Sequence, residues 1–349
     1  MSKIKVAVLG ATGAVGQRFV QLLDNHPWFE VTALTGSDRT VGQLYGEACR
    51  WVLDKPMPAY ARSLKVVPTE PGLDAVLAFS ALPADQAKSI EPAFARAGHG
   101  VCSNASSYRM DEDVPLLIPE VNPDHTALIK VQQAKRGWSG FIATNPNCTS
   151  TGFTIAFRPL LDAFGINKAF VVSMQALSGA GYPGVASLDA IDNVIPYIGG
   201  EESKVETEPL KMLGKLNAAH VIDAPLKISA HTNRVAVIDG HTVCVSLEFD
   251  QPIGPQEAAQ ALLDYRWAEI VRSLPSSPAR VIEIRSEPDR PQPRRDRDTG
   301  NGMTTVVGRV RADPLFHVKF VVLSHNTIRG AAGGSLLNAE LLVAQGIVK

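Results

Sequence analysis

Cysteine is scarce in this chain. Only Cys49, Cys102, Cys148 and Cys244 occur among 349 residues, and no two stand in a CxxC spacing. That excludes a zinc knuckle and a redox dithiol. The eight histidines show neither HExxH nor HxxxH spacing, so no metal is expected. No apolar run approaches the roughly 18 to 20 residues of a membrane span. The first residues enter a strand-like run without a leader-like apolar stretch, which together with the few cysteines predicts a reducing, cytoplasmic setting. An excess of either charge is also missing: 34 Lys+Arg face 35 Asp+Glu, a formal net charge of -1. A polybasic nucleic-acid or membrane-surface protein is therefore excluded. What remains is 45% hydrophobic and 20% charged residues in a length that suggests two domains with sizeable cores.

The apolar run ending at Leu9 reads as a buried parallel strand. Gly10-Ala11-Thr12-Gly13-Ala14-Val15-Gly16 follows, and then a helix with Phe19, Val20, Leu22 and Leu23 inward. Glycines 10, 13 and 16 permit a tight turn and close approach of backbone to a pyrophosphate at a helix N-terminus. The next strand, Glu30 to Leu34, ends in Thr35-Gly36-Ser37-Asp38-Arg39-Thr40 rather than in a single acid. Ser37 and Arg39, with Thr40 beside them, suit a ribose 2′-phosphate and favour NADP, while Asp38 keeps NAD open. Residues 40–70 read as a strand and loop insertion. Strands at Ala75–Phe79 and Gly100–Cys102 place polar loops, including Ser80 and the segment from Ser103 to Arg109, where an open α/β sheet binds ligands.

Phe141–Thr144 reads as the last strand of this unit, followed by Asn145-Pro146-Asn147-Cys148-Thr149-Ser150 and a helix. A cysteine at that junction gains from the helix dipole as a thiolate. The free N–H groups there, with the Asn147 carboxamide, can hold an oxyanion. Cys49, Cys102 and Cys244 read as ordinary small hydrophobes. An acid/base partner is needed. His241, opening the strand after an Asp239-Gly240 hairpin-type turn, and His231 are equally placed by these arguments.

The second half alternates strands (Lys168–Met174, Val243–Phe249, Arg280–Ile284, Thr304–Val310 and Val318–Val322) with helices, the clearest spanning Pro255 to Arg272. This predicts an α+β domain on a largely antiparallel sheet. Arg290 to Asp298 interleaves charges and reads as a solvated loop. Gly333 to Val348 reads as an amphipathic last helix.

Taken together, GATGAVGQ (10–17), SNASSYRM (103–110), NPNCTS (145–150), QALSGAGYPG (175–184), NVIPYIGGEESK (193–204), NRVAVIDGHT (233–242), DTGNGMTTVVGRVR (298–311) and HNTIRGAAGGS (325–335) resemble the aspartate-semialdehyde dehydrogenase family, archaeal and fungal type. The motifs run in order from the first strand almost to the C-terminus.

The resemblance implies a Rossmann-like NADP-binding domain over 1–147, completed by 325–349, and a catalytic and oligomerisation domain over 148–324. It implies reduction of L-aspartyl 4-phosphate by NADPH to L-aspartate 4-semialdehyde, on the route to lysine, methionine and threonine. It selects His241 as the partner of Cys148 and makes Gln175 the residue that positions the acyl group. Arg234 would take the substrate carboxylate and Glu201, preferred to Glu202, the ammonium. Lys204, Arg109 and Asn104 would hold the phosphate. Ser178, Gly179, Gly181 and Asn326 would line the nicotinamide. A homodimer or homotetramer is implied, with no nucleic-acid or membrane partner. The rivals are a malonyl-CoA reductase of the same fold, an N-acetyl-glutamyl-phosphate reductase, and a non-catalytic NADP-binding regulatory protein.

Overall fold

The computed structural model describes residues 3–349. The chain opens with β1 (Ile4–Leu9), α1 (Ala14–Leu22) and β2 (Phe29–Thr35). The stretch expected as a strand and loop insertion holds two single-turn helices, α2 (Tyr45–Ala48) and α3 (Ala59–Arg62), before the two-residue strand β3 (Val66–Val67). Then come β4 (Leu77–Ser80), α4 (Ala84–Arg96), β5 (Gly100–Ser103), α5 (Leu128–Arg136) and β6 (Phe141–Thr144). The six strands form one parallel sheet in the order β3-β2-β1-β4-β5-β6. Val6, Ala7, Val8 and Leu9 are fully buried, as strands covered on both faces by helices require. Because the chain leaves β1 toward β2 on one side and β4 on the other, a crevice opens at the carboxyl end of β1, where Gly10 begins.

The second half runs α6 (Cys148–Phe164), β7 (Lys168–Gln175), α7 (Ser187–Ala190), α8 (Glu201–Met212), β8 (Lys215–Leu216), β9 (Val221–Ile222), β10 (Lys227–Arg234) and β11 (His241–Glu248). It continues with α9 (Pro255–Asp264), α10 (Glu269–Arg272), β12 (Ile282–Arg285), α11 (Pro293–Asp296), β13 (Thr305–Ala312), β14 (Val318–Ser324) and α12 (Gly333–Ala344). Its main sheet has the order β10-β7-β11-β14-β13-β12. The three inner pairs are antiparallel, and the two outer pairs, β10–β7 and β13–β12, are parallel. The sheet is therefore mixed, antiparallel at its centre. Helices α6, α8 and α9 cover one face, with Phe153, Phe157, Val171, Val245 and Phe320 in the shared core.

Four expectations change. Asp239-Gly240 does not close a hairpin, because β7 lies between β10 and β11 and the connection crosses over its end. The helix expected from Pro255 to Arg272 breaks at Tyr265, whose backbone turns extended (φ -55, ψ 126) as Tyr265 and Trp267 pack onto the core. The charged stretch from Arg290 to Asp298 is not a plain solvated loop, since Asp296 is fully buried and accepts from Arg290, Arg285 and the Gln292 N–H. Burial would raise the Asp296 carboxyl, but Arg290, the Gln292 N–H and Arg285 outweigh it and hold it down to about 2. Finally, α12 has no solvent face over Gly333–Leu342. Leu336, Ala339 and Leu342 pack with Val6 and Phe79 of the first unit, while Leu337 and Leu341 meet Val271, Leu274 and Met303.

Candidate active site

Strand direction assembles the centre. β7 and β10 run parallel in a register that pairs Gln175 with Arg234 at their carboxyl ends. β11 runs the opposite way from β7, so its first residue, His241, starts at that same edge. Cys148 arrives from the other unit, at the first turn of α6. The Asn147 Oδ1 caps that helix, accepting from the Thr149 N–H at 2.9 Å and the Ser150 N–H at 3.1 Å. Cys148 Sγ then lies 3.2 Å from His241 Nε2.

The ring of His241 is oriented from behind. Its Nδ1 accepts the Ala176 N–H at 3.0 Å, so the neutral imidazole carries its proton on Nε2 and directs it at the sulfur. Burial, with the charge of Arg234 and the neighbouring His325, pushes His241 down to about 3. Burial likewise pushes the Cys148 thiol up to about 12, and Glu201 adds to this, while Arg109, Arg234 and the Thr149 N–H pull the other way. Burial thus works against charge on both groups, and the cations of Arg109 and Arg234 with the Thr149 N–H are what favour a thiolate at Cys148.

Glu201 is buried and central. Its Oε1 accepts from Lys204 Nζ at 2.9 Å, and its Oε2 accepts from Asn147 Nδ2 at 2.8 Å and Gln175 Nε2 at 3.4 Å. Burial opposes its ionisation, but Lys204, Asn147 and Gln175 prevail and hold it below the usual carboxylate range. Glu202 instead accepts the Thr232 N–H at the side of β10. The Asn147 Oδ1 caps α6 and one Nδ2 hydrogen goes to Glu201, which leaves the second Nδ2 hydrogen for the anticipated oxyanion. Arg234 Nη1 donates to the Ala176 carbonyl at 2.8 Å. Arg109 is buried, its Nη2 donating to the Asn104 carbonyl at 2.8 Å. Asn104 is in turn held by the Ser80 carbonyl.

The loop after β7 closes the site. Its Leu177 and Ser178 N–H groups donate to the carbonyls of Val237 and Ile238. Asn326 bridges it to the β11 entrance, accepting from the Gly240 N–H at 2.8 Å and donating to Ser178 Oγ at 2.7 Å. A Cβ at Gly179 would lie 2.8 Å from Arg234 Nη1 and 3.0 Å from His241 Cε1, so a side chain there would displace the Arg234 fork and crowd the imidazole.

A dinucleotide fits the crevice at β1. α1 begins at Gly13 with no side-chain cap, which leaves first-turn N–H groups for an anion. Gly16 faces the Gly10 carbonyl so closely that a Cβ would stand 2.2 Å from it. From Ala14 a cleft of about 280 Å³ runs to Ser178 and Gly181. Thr12 and Val15 flank this turn, and Ser37 and Arg39 are exposed beyond β2 with Thr40 folded back on the Ser37 carbonyl. Thus Asn147, Gln175, Glu201 and His241 come together around Cys148, while Ser37 and Arg39 are exposed in the loop after β2. Among the described residues no group of three His, Cys, Asp or Glu side chains is arranged for a metal.

Among the buried carboxylates that sequence reasoning missed, two hold residues of the site in place. Glu208, discussed below, repeats Glu201 at the i+7 position of α8, a signal that was available. Glu91, on α4, accepts from Ser103 Oγ at 2.6 Å, and that hydroxyl accepts the Ala105 N–H, shaping the turn that carries Asn104. Burial lifts Glu91 to about 7, against the pull of Ser103, Ser80 and Arg109. The unfolded chain, with a carboxyl near 4.5, then loses its proton first, so the native state becomes less stable as pH rises from 4.5 to about 7 and levels off above. Glu91→Gln is expected to flatten that segment in thermal melts followed across this range. An unchanged slope would assign it elsewhere.

Comparison with known proteins adds to this geometry. Residues 5–129 match the family model described as semialdehyde dehydrogenase, NAD binding domain. Residues 157–329 match semialdehyde dehydrogenase, dimerisation domain. The aspartate-semialdehyde dehydrogenase of Archaeoglobus fulgidus is 54% identical over 99% of this chain and 100% of its own. That of Candida albicans is 44% identical over the whole of both chains. A crystal structure of the Candida albicans enzyme with NADP superposes with a TM-score of 0.91 at 42% identity, covering 99% of this chain and 100% of that one.

Proposed function

The chain belongs to the aspartate-semialdehyde dehydrogenase family, and from that premise we propose how its own residues carry the reaction. The enzyme reduces L-aspartyl 4-phosphate to L-aspartate 4-semialdehyde with release of phosphate, within the biosynthesis of lysine, methionine and threonine. NADPH, when bound, supplies the hydride. The Gly10–Gly16 turn would hold its pyrophosphate, Ser37, Arg39 and Thr40 its 2′-phosphate, and Ser178, Gly179 and Gly181 its nicotinamide end. Asn326 acts there by fixing Ser178 and Gly240.

The observation that carries the mechanism is the 3.2 Å approach of His241 Nε2 to Cys148 Sγ at the start of α6. As a thiolate, Cys148 attacks the acyl phosphate; the carbon–sulfur bond forms as the carbon–oxygen bond to phosphate breaks, leaving a thioester. After hydride addition at that carbonyl carbon, the carbon–sulfur bond breaks and the aldehyde leaves with the thiolate restored. The departing phosphate takes up one proton over the two halves, which His241 Nε2–H is placed to supply and solvent to restore. His241, held as an Nε2–H donor by Ala176, suits stabilisation of negative charge on sulfur and on the adjacent oxygen. Arg234 takes the substrate carboxylate and Glu201 its ammonium; Arg109, Lys204 and Asn104 take the phosphate, and Gln175 positions the acyl group. The rival reading as malonyl-CoA reductase leaves Glu201 without a partner in the substrate. Mixing the protein with aspartate semialdehyde, phosphate and NADP should give phosphate-dependent NADPH absorbance. Silence there, with NADPH consumed on addition of malonyl-CoA, would transfer the assignment to the rival.

A dimerisation domain is present, and we infer a homodimer built on the open face of the second sheet, with turnover in the cytosol. Helices cover only one face. On the other, Phe170, Val172 and Met174 of β7 and Val321 of β14 are half-exposed, and Cys244 of β11 is exposed. Beside the β10 edge, Leu188 and Tyr197 are 91% and 67% exposed. Apolar surface of this extent is best satisfied by a second copy. Val172→Asp is expected to halve the mass seen by light scattering; an unchanged mass, or a monomeric parent, would place the interface elsewhere.

A further inference from the structure

Glu208 joins the two units at the site. It lies seven residues after Glu201 on α8 and is 2% exposed. Its Oε1 accepts from Arg109 Nη1 at 2.9 Å, and its Oε2 accepts the main-chain N–H of Asn147 at 2.6 Å. One carboxylate thus grips the guanidinium assigned to phosphate and the residue directly before the nucleophile. One turn on, Lys211 donates to the carbonyls of Arg109 and Asp111 at 2.7 Å and of Val114 at 2.8 Å, so the same helix also holds the loop from which Arg109 projects. Arg109 retains a buried Nε with no protein partner.

We propose that Glu208 is a positioning residue, which sets the orientation of the Arg109 fork and its separation from Cys148 by binding both sides with one carboxylate. The proposal rests on the roles given above to Arg109 and Cys148. An arginine fork recognises phosphate through the direction of its donors as well as its charge. Without Glu208, Arg109 keeps its charge and its bond to the Asn104 carbonyl but loses the contact that turns the fork. The same loss leaves Arg109, whose charge favours a thiolate at Cys148, without its counter-charge.

The test uses the full chain with Glu208→Gln and Glu208→Asp, assayed in the oxidative direction. Glu208→Gln is expected to raise the KM for phosphate about tenfold while leaving the KM for NADP within about twofold. Separately, the pH profile of Cys148 alkylation by iodoacetamide should move to lower pH in Glu208→Gln and stay in place in Glu208→Asp, which keeps the charge. Glu208→Asp reaches only one of the two partners and should also raise the phosphate KM, so it carries the kinetic arm if the glutamine variant does not fold. A phosphate KM at the parent value, a parallel rise in both KM values, or an unmoved alkylation profile in Glu208→Gln would overturn the proposal. Absence of phosphate-dependent turnover in the parent would instead overturn the assigned reaction, and the alkylation arm would still report on Glu208.

Discussion

Cys148→Ala is expected to lower turnover by at least about four orders of magnitude, with NADP affinity held within about twofold. The argument is spatial. Cys148 sits at the first turn of α6 against His241, whereas the Gly10–Gly16 turn and the exposed end of β2, proposed above to hold the dinucleotide, belong to the first unit. Removing the sulfur eliminates the only route to a thioester, because Cys49 and Cys102 are buried in the first unit and Cys244 lies on the outer face of the second sheet. Alanine leaves the Asn147 cap and its bonds to Thr149 and Ser150 untouched. Turnover would be followed by NADPH absorbance and affinity by fluorescence titration. Measurable dehydrogenase activity in this variant would remove the covalent mechanism; a parallel loss of NADP binding would mean that Cys148 supports the fold of the crevice.

The second large effect concerns stability. Arg329, 1% exposed, presents a two-pronged fork to Glu120, with Nη1 and Nη2 each 2.6 Å from a carboxylate oxygen. Breaking a buried pair by removing one member leaves the other charge without compensation, at a cost of about 3–5 kcal/mol. Arg329→Met is therefore expected to lose that amount in urea unfolding, a large share of the roughly 5–15 kcal/mol of a typical domain. The double variant Glu120→Leu with Arg329→Met should recover much of it, since no isolated charge remains. A cost below about 1 kcal/mol in the single variant would show that water compensates the carboxylate. The single variant should also slow turnover, because the next residue, Gly330, packs so near Cys148 that a Cβ on it would stand 2.7 Å from the Cys148 Cβ.

Local sequence carried the parts of this molecule whose physics is local. The apolar run to Leu9, the glycines that follow and the helix start after Asn147 each declare themselves within a few residues, and Cys148 could be singled out from its position alone. Choosing His241 over His231 required the family resemblance. The hairpin reading of Asp239-Gly240 failed because turn residues report how a chain bends and not which strand fills the gap beside it; β7 takes that place. The helix through Tyr265 failed because packing of Tyr265 and Trp267 overrides helical periodicity. Asp296 looked solvated among arginines because alternating charge is ambiguous between a wet loop and a buried node. Glu91 was illegible for a related reason: surface carboxylates on helices are common, and only the fold reveals which of them face inward, whereas Glu208 could have been marked by its i+7 spacing from Glu201.

The placement of α12 bears on how the protein is made. Leu336, Ala339 and Leu342 complete a core whose other members include Val6, Phe19 and Phe79, some three hundred residues earlier in the chain. While a ribosome is still producing the second sheet, the parallel sheet of the first unit stands with part of its apolar surface bare. The core of the first unit is thus completed only after residues 333–344 have emerged. A premature stop within the last helix would expose that surface and leave a chain prone to aggregation, even with Cys148, His241 and the glycine turn all synthesised.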